Sequence, residues 1–299
     1  LERFMQRSLP RLAFAGIGLM GLPMCQRLLA AGYPLVVWNR NPDKCTPLLA
    51  LGAQQVQTPA ELCAQADIIL LCLADTNAVA EVVFAEQGVA KALTEQQILV
   101  DLSSIEPAAT RAMAQRLLTE QGAQWLDVPV SGGVGGADAG TLAMMAGGDA
   151  QALAKVRPVL EHLGQRMTHM GAVGSGQVAK VCNQMLVACN AIVIAEVVAL
   201  AERAGVDAAL LAPALAGGFA DSKPLQILAP QMAAREFEPV KWHVRTLLKD
   251  LDMAVQLSQQ HTSATPMSGL AAQLMRAHAA QGHLANDPAT LIKLYSGDH

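Results

Sequence analysis

One lysine stands at the edge of a long uncharged stretch. In Gly174-Ser175-Gly176-Gln177-Val178-Ala179-Lys180-Val181-Cys182-Asn183, Lys180 is followed by no further charge until Glu196. An ammonium among apolar side chains is costly unless its charge is paired or used. Desolvation also brings a lysine toward neutral titration, which suits it to proton transfer. The plain alternative is a lysine at a helix end whose stem lies on apolar surface while its head reaches water.

A second constellation lies near the other end. Gly16-Ile17-Gly18-Leu19-Met20-Gly21 has G-x-G-x-x-G spacing, follows an apolar strand pattern and opens an apolar-periodic helix. In that setting Gly16 allows a tight turn, Gly18 a close approach of pyrophosphate, and Gly21 helix–strand packing. The phosphates then rest on the helix N-terminus. With 24 glycines in the chain the spacing alone is a weak signal, and its place between strand and helix is what strengthens it.

The next strand pattern ends in Trp38-Asn39-Arg40-Asn41. A site built for NAD usually carries an acid there to bind the ribose hydroxyls. Asn39 and Arg40 stand in its place, and arginine can fork onto a 2′-phosphate. NADP(H) is therefore the preferred cofactor, and NAD(H) stays open as the second. Two further loops follow strand ends on the same edge, Leu73-Ala74-Asp75-Thr76-Asn77 and Asp101-Leu102-Ser103-Ser104-Ile105-Glu106-Pro107. Leu73 and Ala74 are expected over the cofactor, and Ser104 within reach of ribose or nicotinamide. From pattern alone, helix capping is the ordinary role for Ser103 or Ser104.

The elements that must position these residues change character along the chain. Strand patterns fall at 12–15, 35–38, 68–73, 98–101, 125–128, 142–146 and 167–170, with helical periodicity between them, as at 22–31 and 42–51. Thr58-Pro59-Ala60-Glu61 has the form of a capping box. This alternation predicts a mostly parallel, doubly wound α/β sheet of Rossmann type over 11–173. After Gly174 only helical patterns follow, at about 177–204, 207–216, 224–234, 244–260, 266–281 and 288–295. The expected second domain, 174–299, is all-helical, joined through the long helix that carries Lys180.

Composition excludes several classes. The chain has 299 residues, 52% hydrophobic and 15% charged, with a net charge of −4. That balance offers no phosphate-backbone footprint for nucleic acid and no attraction to an anionic membrane. The apolar run near 185–200 is broken by Asn190 and Glu196 and falls short of the roughly 20 apolar residues a bilayer span needs. It reads as a buried helix of a soluble protein. Six cysteines without a C-x-x-C pair point to a reducing, cytoplasmic setting and to no metal site. The first ten residues read as a frayed or added extension.

With these pieces in order, the chain resembles the β-hydroxyacid dehydrogenase family, which includes 3-hydroxyisobutyrate dehydrogenase and tartronate semialdehyde reductase. The resemblance covers about residues 11–295. It rests on Gly16–Gly21, on Asp127-Val128-Pro129-Val130-Ser131-Gly132-Gly133 with Gly140-Thr141-Leu142 and Gly147-Gly148, on Gly174–Asn183, and on Lys249-Asp250-Leu251. It implies that Lys180 is the catalytic lysine and that Asn183 helps hold the substrate. It also implies that Ser131, Gly132 and Gly133 bind the substrate carboxylate, and that Ser104 and Lys249 touch the cofactor. Gln184 stands where some members carry a second asparagine, which resembles the tartronate semialdehyde reductase side. A Ser-Gly-Gly turn suits an anion physically, offering a hydroxyl and open backbone N–H groups, although a glycine-rich bend alone looks the same.

The implied reaction is reversible hydride transfer between nicotinamide and a small β-hydroxy acid or semialdehyde, with Lys180 as general acid and base and no metal. A silent NADP-binding sensor or interaction protein on the same scaffold competes with it. The joint presence of Lys180, Asn183 and Ser131 argues against that. Imine reductases generally lack the lysine, and 6-phosphogluconate dehydrogenase carries a histidine beside the asparagine that is missing here. Lys223, Lys241, Trp242, His243 and Arg245 are expected toward the far end of the pocket, which leaves serine-like and sugar-acid substrates open. The apolar second half, with the resemblance, implies a homodimer or homotetramer.

Overall fold

The computed structural model describes residues 9–295. Short apolar runs form the central strands, because every residue of a sheet covered on both faces is buried there. Leu12–Ala15 (β1), Leu35–Trp38 (β2), Gln54–Gln55 (β3), Ile68–Leu71 (β4), Ile98–Asp101 (β5) and Gln124–Asp127 (β6) lie parallel in the order β3-β2-β1-β4-β5-β6. This is the doubly wound order of a dinucleotide-binding sheet. Val130–Ser131 (β7), Leu142–Gly147 (β8) and Gly164–Gly171 (β9) extend it, β8 running antiparallel to β6 and β7 and parallel to β9.

Side chains alternate between two cores. Leu12 and Phe14 face one side with Met24, Leu28 and Leu153, while Ala13 and Ala15 face the other with Val79, Val83 and Leu117. The covering helices are Gly21–Ala30 (α1), Thr46–Leu49 (α2), Pro59–Cys63 (α3), Thr76–Phe84 (α4), Pro107–Gln121 (α5), Gly133–Ala139 (α6) and Ala150–Leu160 (α7). Ser175–Arg203 (α8) then spans 29 residues, followed by Leu211–Leu215 (α9), Lys223–Ala234 (α10), Val244–Gln260 (α11) and Pro266–His278 (α12). The chain divides into two compact units between Lys180 and Val181. In the second unit Ala188, Ala195 and Val198 of α8 pack with Leu228, Met232, Leu247, Leu251 and Met275. Each fully buried leucine there contributes about 1.5–3 kcal/mol.

Several local expectations need correction. The helical pattern at 42–51 breaks into a 3-10 turn, Pro42–Cys45, and the single turn of α2, because Pro47 has no N–H to continue a ladder. Residues 288–294 form a 3-10 helix, and α12 stops at His278 ahead of Gly282, whose φ of 94° is not helical. Thr58 makes no side-chain cap, and Glu61 instead accepts from the N–H of Gln57 at 3.0 Å. Helix α8 is long and apolar enough by composition to cross a membrane, but 44% of its most apolar window is buried in the fold. It is not buried all round, since Leu186, Val193, Val197 and Leu200 are exposed along it.

Candidate active site

The glycine turn has the geometry that its spacing predicts. Gly16 has φ of 103°, and its N–H donates to the Trp38 carbonyl at 3.0 Å. A Cβ there would run into the Cys72 carbonyl. At Gly21 a Cβ would run into the Gly16 carbonyl and come within 3.2 Å of the Phe14 ring, so α1 packs against β1 only through glycine. Gly18 has open space beside its Cα. No side chain caps α1 and no acid lies in its first turn, so its positive end is left to an anion.

A cavity of about 580 Å³ opens beside this turn, lined by Gly16, Gly18, Asn39, Arg40, Leu73 and Ala74 together with Trp38, Lys44, Asp75 and Asn77. Glycine turn, bare helix end and adjoining cavity together fit a dinucleotide. Ile17, Leu19, Met20 and Gly21 belong to the same turn, although Leu19 is 79% exposed. Asn39 uses its side chain on the loop itself. Its Oδ1 accepts from the Ile17 N–H at 2.9 Å and its Nδ2 donates to the Asn41 carbonyl at 2.8 Å. Arg40 therefore faces the cavity without an acid beside it at position 39, and Lys44, which the sequence reading passed over, adds a second cation.

The two loops over the sheet edge are tied to each other. The Ser103 hydroxyl accepts from the Leu73 N–H at 2.9 Å, and the Thr76 hydroxyl accepts from the Glu106 N–H at 3.2 Å. Ser103 is thus a loop brace and not a helix cap; Glu106 occupies the cap position of α5. Ser104, half-buried, sits between braced neighbours. Beneath them Asp101 and Asp127 pair in register at the ends of β5 and β6. Burial drives the Asp101 carboxyl up to about 7, the neighbouring Asp127 adding to the rise while hydrogen bonds from Ser103 oppose it. Burial also pushes Asp127 upward, against backbone N–H groups that stabilise its charge. Cys72 is pushed up to about 12 by burial and by Asp101.

Asp127 anchors the start of α8. Its two oxygens accept from the N–H groups of Gly174 at 2.7 Å and Gln177 at 2.9 Å. Gly147 and Gly176 are glycines because a Cβ on either would strike Asp127, at 2.5 Å from Oδ1 for Gly147 and 2.6 Å from the carbonyl for Gly176. Lys180 follows one turn after Gln177 and is half-buried. Ser131 ends β7, Gly132 has φ of 141°, and Gly133, with φ of 63°, opens α6. That segment is a strand-to-helix turn, and a Cβ at Gly133 would meet open space.

Within the second unit, Asn183 donates to Gln184 Oε1 at 2.9 Å, and Gln184 donates in turn to Asp250. Asp250 is 2% exposed, and its other oxygen lies 3.5 Å from Lys249 Nζ. Of the residues at the far end, Lys223, Lys241 and Arg245 are exposed, and His243 bonds the Ala285 carbonyl at 2.7 Å through Nδ1. Phe219, in the preceding loop, is exposed. Asp127, Gln177 and Asp250 escaped the sequence reading as supports. The one available signal was an acid closing each of two apolar strands, 98–101 and 124–127.

Comparison with known proteins agrees with this geometry. Residues 11–171 match the family described as the NAD binding domain of 6-phosphogluconate dehydrogenase, and residues 174–295 match the NAD-binding domain of NADP-dependent 3-hydroxyisobutyrate dehydrogenase. The chain is 38% identical to 2-hydroxy-3-oxopropionate reductase of Escherichia coli, over 95% of this chain and 96% of that one. It is 34% identical to 3-hydroxyisobutyrate dehydrogenase of Pseudomonas aeruginosa, over 96% and 98%. Among solved structures, Mycobacterium tuberculosis 3-hydroxyisobutyrate dehydrogenase with L-serine superposes at a TM-score of 0.85, with 31% identity over 95% of this chain and 98% of that one. Glycine turn, doubly wound sheet, helical second unit and full-length relatives converge, and the chain belongs to the β-hydroxyacid dehydrogenase family, as a nicotinamide-dependent oxidoreductase of CH–OH groups.

Proposed function

We propose that the chain interconverts a small β-hydroxy acid and its semialdehyde with NADP(H) as preferred cofactor and Lys180 as general acid and base. The observation that carries this reading is the placement of Lys180. It is half-buried on α8, one turn from Asn183, on a helix whose start is bonded to the loop that follows β5. Positions three apart share a helix face, so lysine and amide project from the same side of α8. When bound, the nicotinamide supplies or accepts the hydride. Lys180 takes the hydroxyl proton in oxidation and returns it in reduction. The Ser131 hydroxyl and the backbone N–H groups of Gly132 and Gly133 hold the carboxylate, which fixes the reacting carbon by its far end. Asn183, steadied through Gln184 and Asp250, orients the hydroxyl. The names of the relatives support 2-hydroxy-3-oxopropionate, 3-hydroxyisobutyrate and L-serine as the compounds to try first.

NADP preference is supported by the pairing of Arg40 with Lys44 on the cavity wall and by the commitment of Asn39 to the glycine loop. A homodimer or homotetramer is supported by the exposed apolar stripe Leu186, Val193, Val197 and Leu200 on α8. A monomeric mass by light scattering at micromolar concentration would contradict it. Six free thiols support a reducing cytoplasm, which cell fractionation tests.

The test of the whole reading is absorbance at 340 nm with the three compounds above, glycerate and threonate, in wild type and Lys180→Ala. Turnover is expected to fall about 10²–10⁴-fold in the variant with NADPH still bound. Near-normal turnover in Lys180→Ala would sink the mechanism.

A further inference from the structure

Gln177 is 1% exposed on the first turn of α8, and every polar group it offers there is engaged. Its Nε2 donates to the Ser103 carbonyl at 2.8 Å, and its Oε1 accepts from the Ile105 N–H at 3.1 Å. Its own N–H donates to Asp127 at 2.9 Å. A side-chain amide carries donor and acceptor on separate atoms, so it can donate to one edge of a loop and accept from the other at once, which an ionised carboxylate cannot.

The loop it grips matters. Ser103 and Ile105 flank Ser104. Ser103 is held from below by Asp101, which accepts its N–H at 2.9 Å, and from the side by the Leu73 N–H, which its hydroxyl accepts. Leu73 in turn lines the dinucleotide cavity. A continuous chain of hydrogen bonds therefore runs from the cavity wall through Ser103 to Gln177, and Lys180 lies three residues further on the same helical face. All of its members belong to the N-terminal unit. Buried networks of this kind, fully bonded, hold one arrangement of the segments they join.

We propose that Gln177 is a positioning residue that couples the 103–105 loop to the helical turn bearing Lys180, so that cofactor contact with the loop also sets the place of the lysine. The inference rests on the reading of Lys180 as the proton-transfer group. Its physical basis is that proton transfer demands placement within about an ångström, and a misplacement of that size costs about 10²-fold in rate.

The test uses full-length Gln177→Met, Gln177→Glu and Lys180→Ala. Hydrogen–deuterium exchange is followed in peptides covering 102–106 and 178–181, with and without NADPH. In the wild type NADPH slows exchange in both segments, and in Gln177→Met it slows only the first. Undiminished slowing at 178–181 in Gln177→Met overturns the proposal whatever the activity.

The kinetic arm uses NADPH with 2-hydroxy-3-oxopropionate. In Gln177→Met, kcat falls at least about tenfold while KM moves less than about threefold. In Gln177→Glu a neutral carboxyl still donates to Ser103 as the amide did, and an ionised one cannot. Its kcat relative to wild type therefore falls as pH rises through the titration of the new acid. Asp127 accepts its backbone N–H, Asp101 and Glu106 stand at the two ends of the loop it grips, Arg111 of α5 lies beside Gly174, and Lys180 shares its helix. A Gln177→Glu ratio that is flat with pH, or a Gln177→Met kcat within twofold of wild type, overturns the proposal. At low pH Gln177→Glu keeps the native bonds and serves as the folded variant should Gln177→Met unfold. Retained turnover in Lys180→Ala would instead defeat the catalytic reading, leaving the exchange result to decide on Gln177.

Discussion

Asp101→Asn isolates one buried carboxyl whose two oxygens are treated differently. One accepts the Ser103 N–H at 2.9 Å, and the other is buried without a hydrogen-bond partner. The folded chain raises this acid from 3.8 to about 7. Between those values the folded protein holds a proton that the unfolded chain has released, so stability falls as pH rises across the window and is fully lost above the folded value. At about 1.4 kcal/mol per unit the whole effect is a little over 4 kcal/mol, of which about 2–3 kcal/mol falls between pH 5 and pH 8. Asparagine keeps an oxygen for Ser103 and places a neutral amide where the unpartnered oxygen lay, at a cost of about 1–3 kcal/mol that does not vary with pH. Relative to wild type, the variant should therefore gain about 2–3 kcal/mol on going from pH 5 to pH 8. Urea unfolding at both pH values, read from buried Trp125 with Trp38 and Trp242 replaced by Phe, follows the N-terminal unit alone. A relative change below about 1 kcal/mol, or one of opposite sign, would refute the account of Asp101.

Arg40→Asp should weaken NADP(H) about 10–100-fold, the loss of a charge-assisted contact, while NAD(H) changes little. Fluorescence titration with both reduced cofactors measures the ratio, and an unchanged ratio removes Arg40 from the argument. Gly176→Ala places a methyl 2.6 Å from the Asp127 carbonyl and should cost at least about 1–3 kcal/mol by crowding the start of α8. An unfolding midpoint equal to that of wild type would show that this junction yields more easily than its geometry implies.

The parts of the fold that could be read in advance are those where burial leaves a mark on composition. Strands β1, β4 and β5 are buried at every residue, so each appears as a run of apolar residues, and all three stand where the runs fall. Helix α11 matches its pattern to the residue because Val244, Leu247, Leu251 and Ala254 form a buried stripe at helical spacing. Strands β3 and β7 were missed. Gln54–Gln55 and Val130–Ser131 have no fully buried residue, and only the neighbouring strand makes them extended. Proline and glycine set the remaining errors, by dividing 42–51 at Pro47 and stopping α12 before Gly282.

The site divides in the same way. Glycines announce themselves, because a position that needs φ of 103° or tolerates no Cβ leaves few alternatives in sequence. Supporting polar residues do not. Asp127 looks like any acid at a strand end, Gln177 like any polar residue of a helix, and Asp250 like half of a surface ion pair. Their roles reside in bonds that span 50, 74 and 66 residues of chain. Each uses a side chain to satisfy a group that sequence cannot show to be buried, and an unsatisfied group there would cost about 1–3 kcal/mol. Lys180 belongs to both classes. Its setting in an uncharged stretch marked it in the sequence, yet what orients it is Asp127 and Gln177 at the head of its helix. The uncharged stretch was legible in sequence, and the bonds of Asp127 and Gln177 at the head of the helix were not.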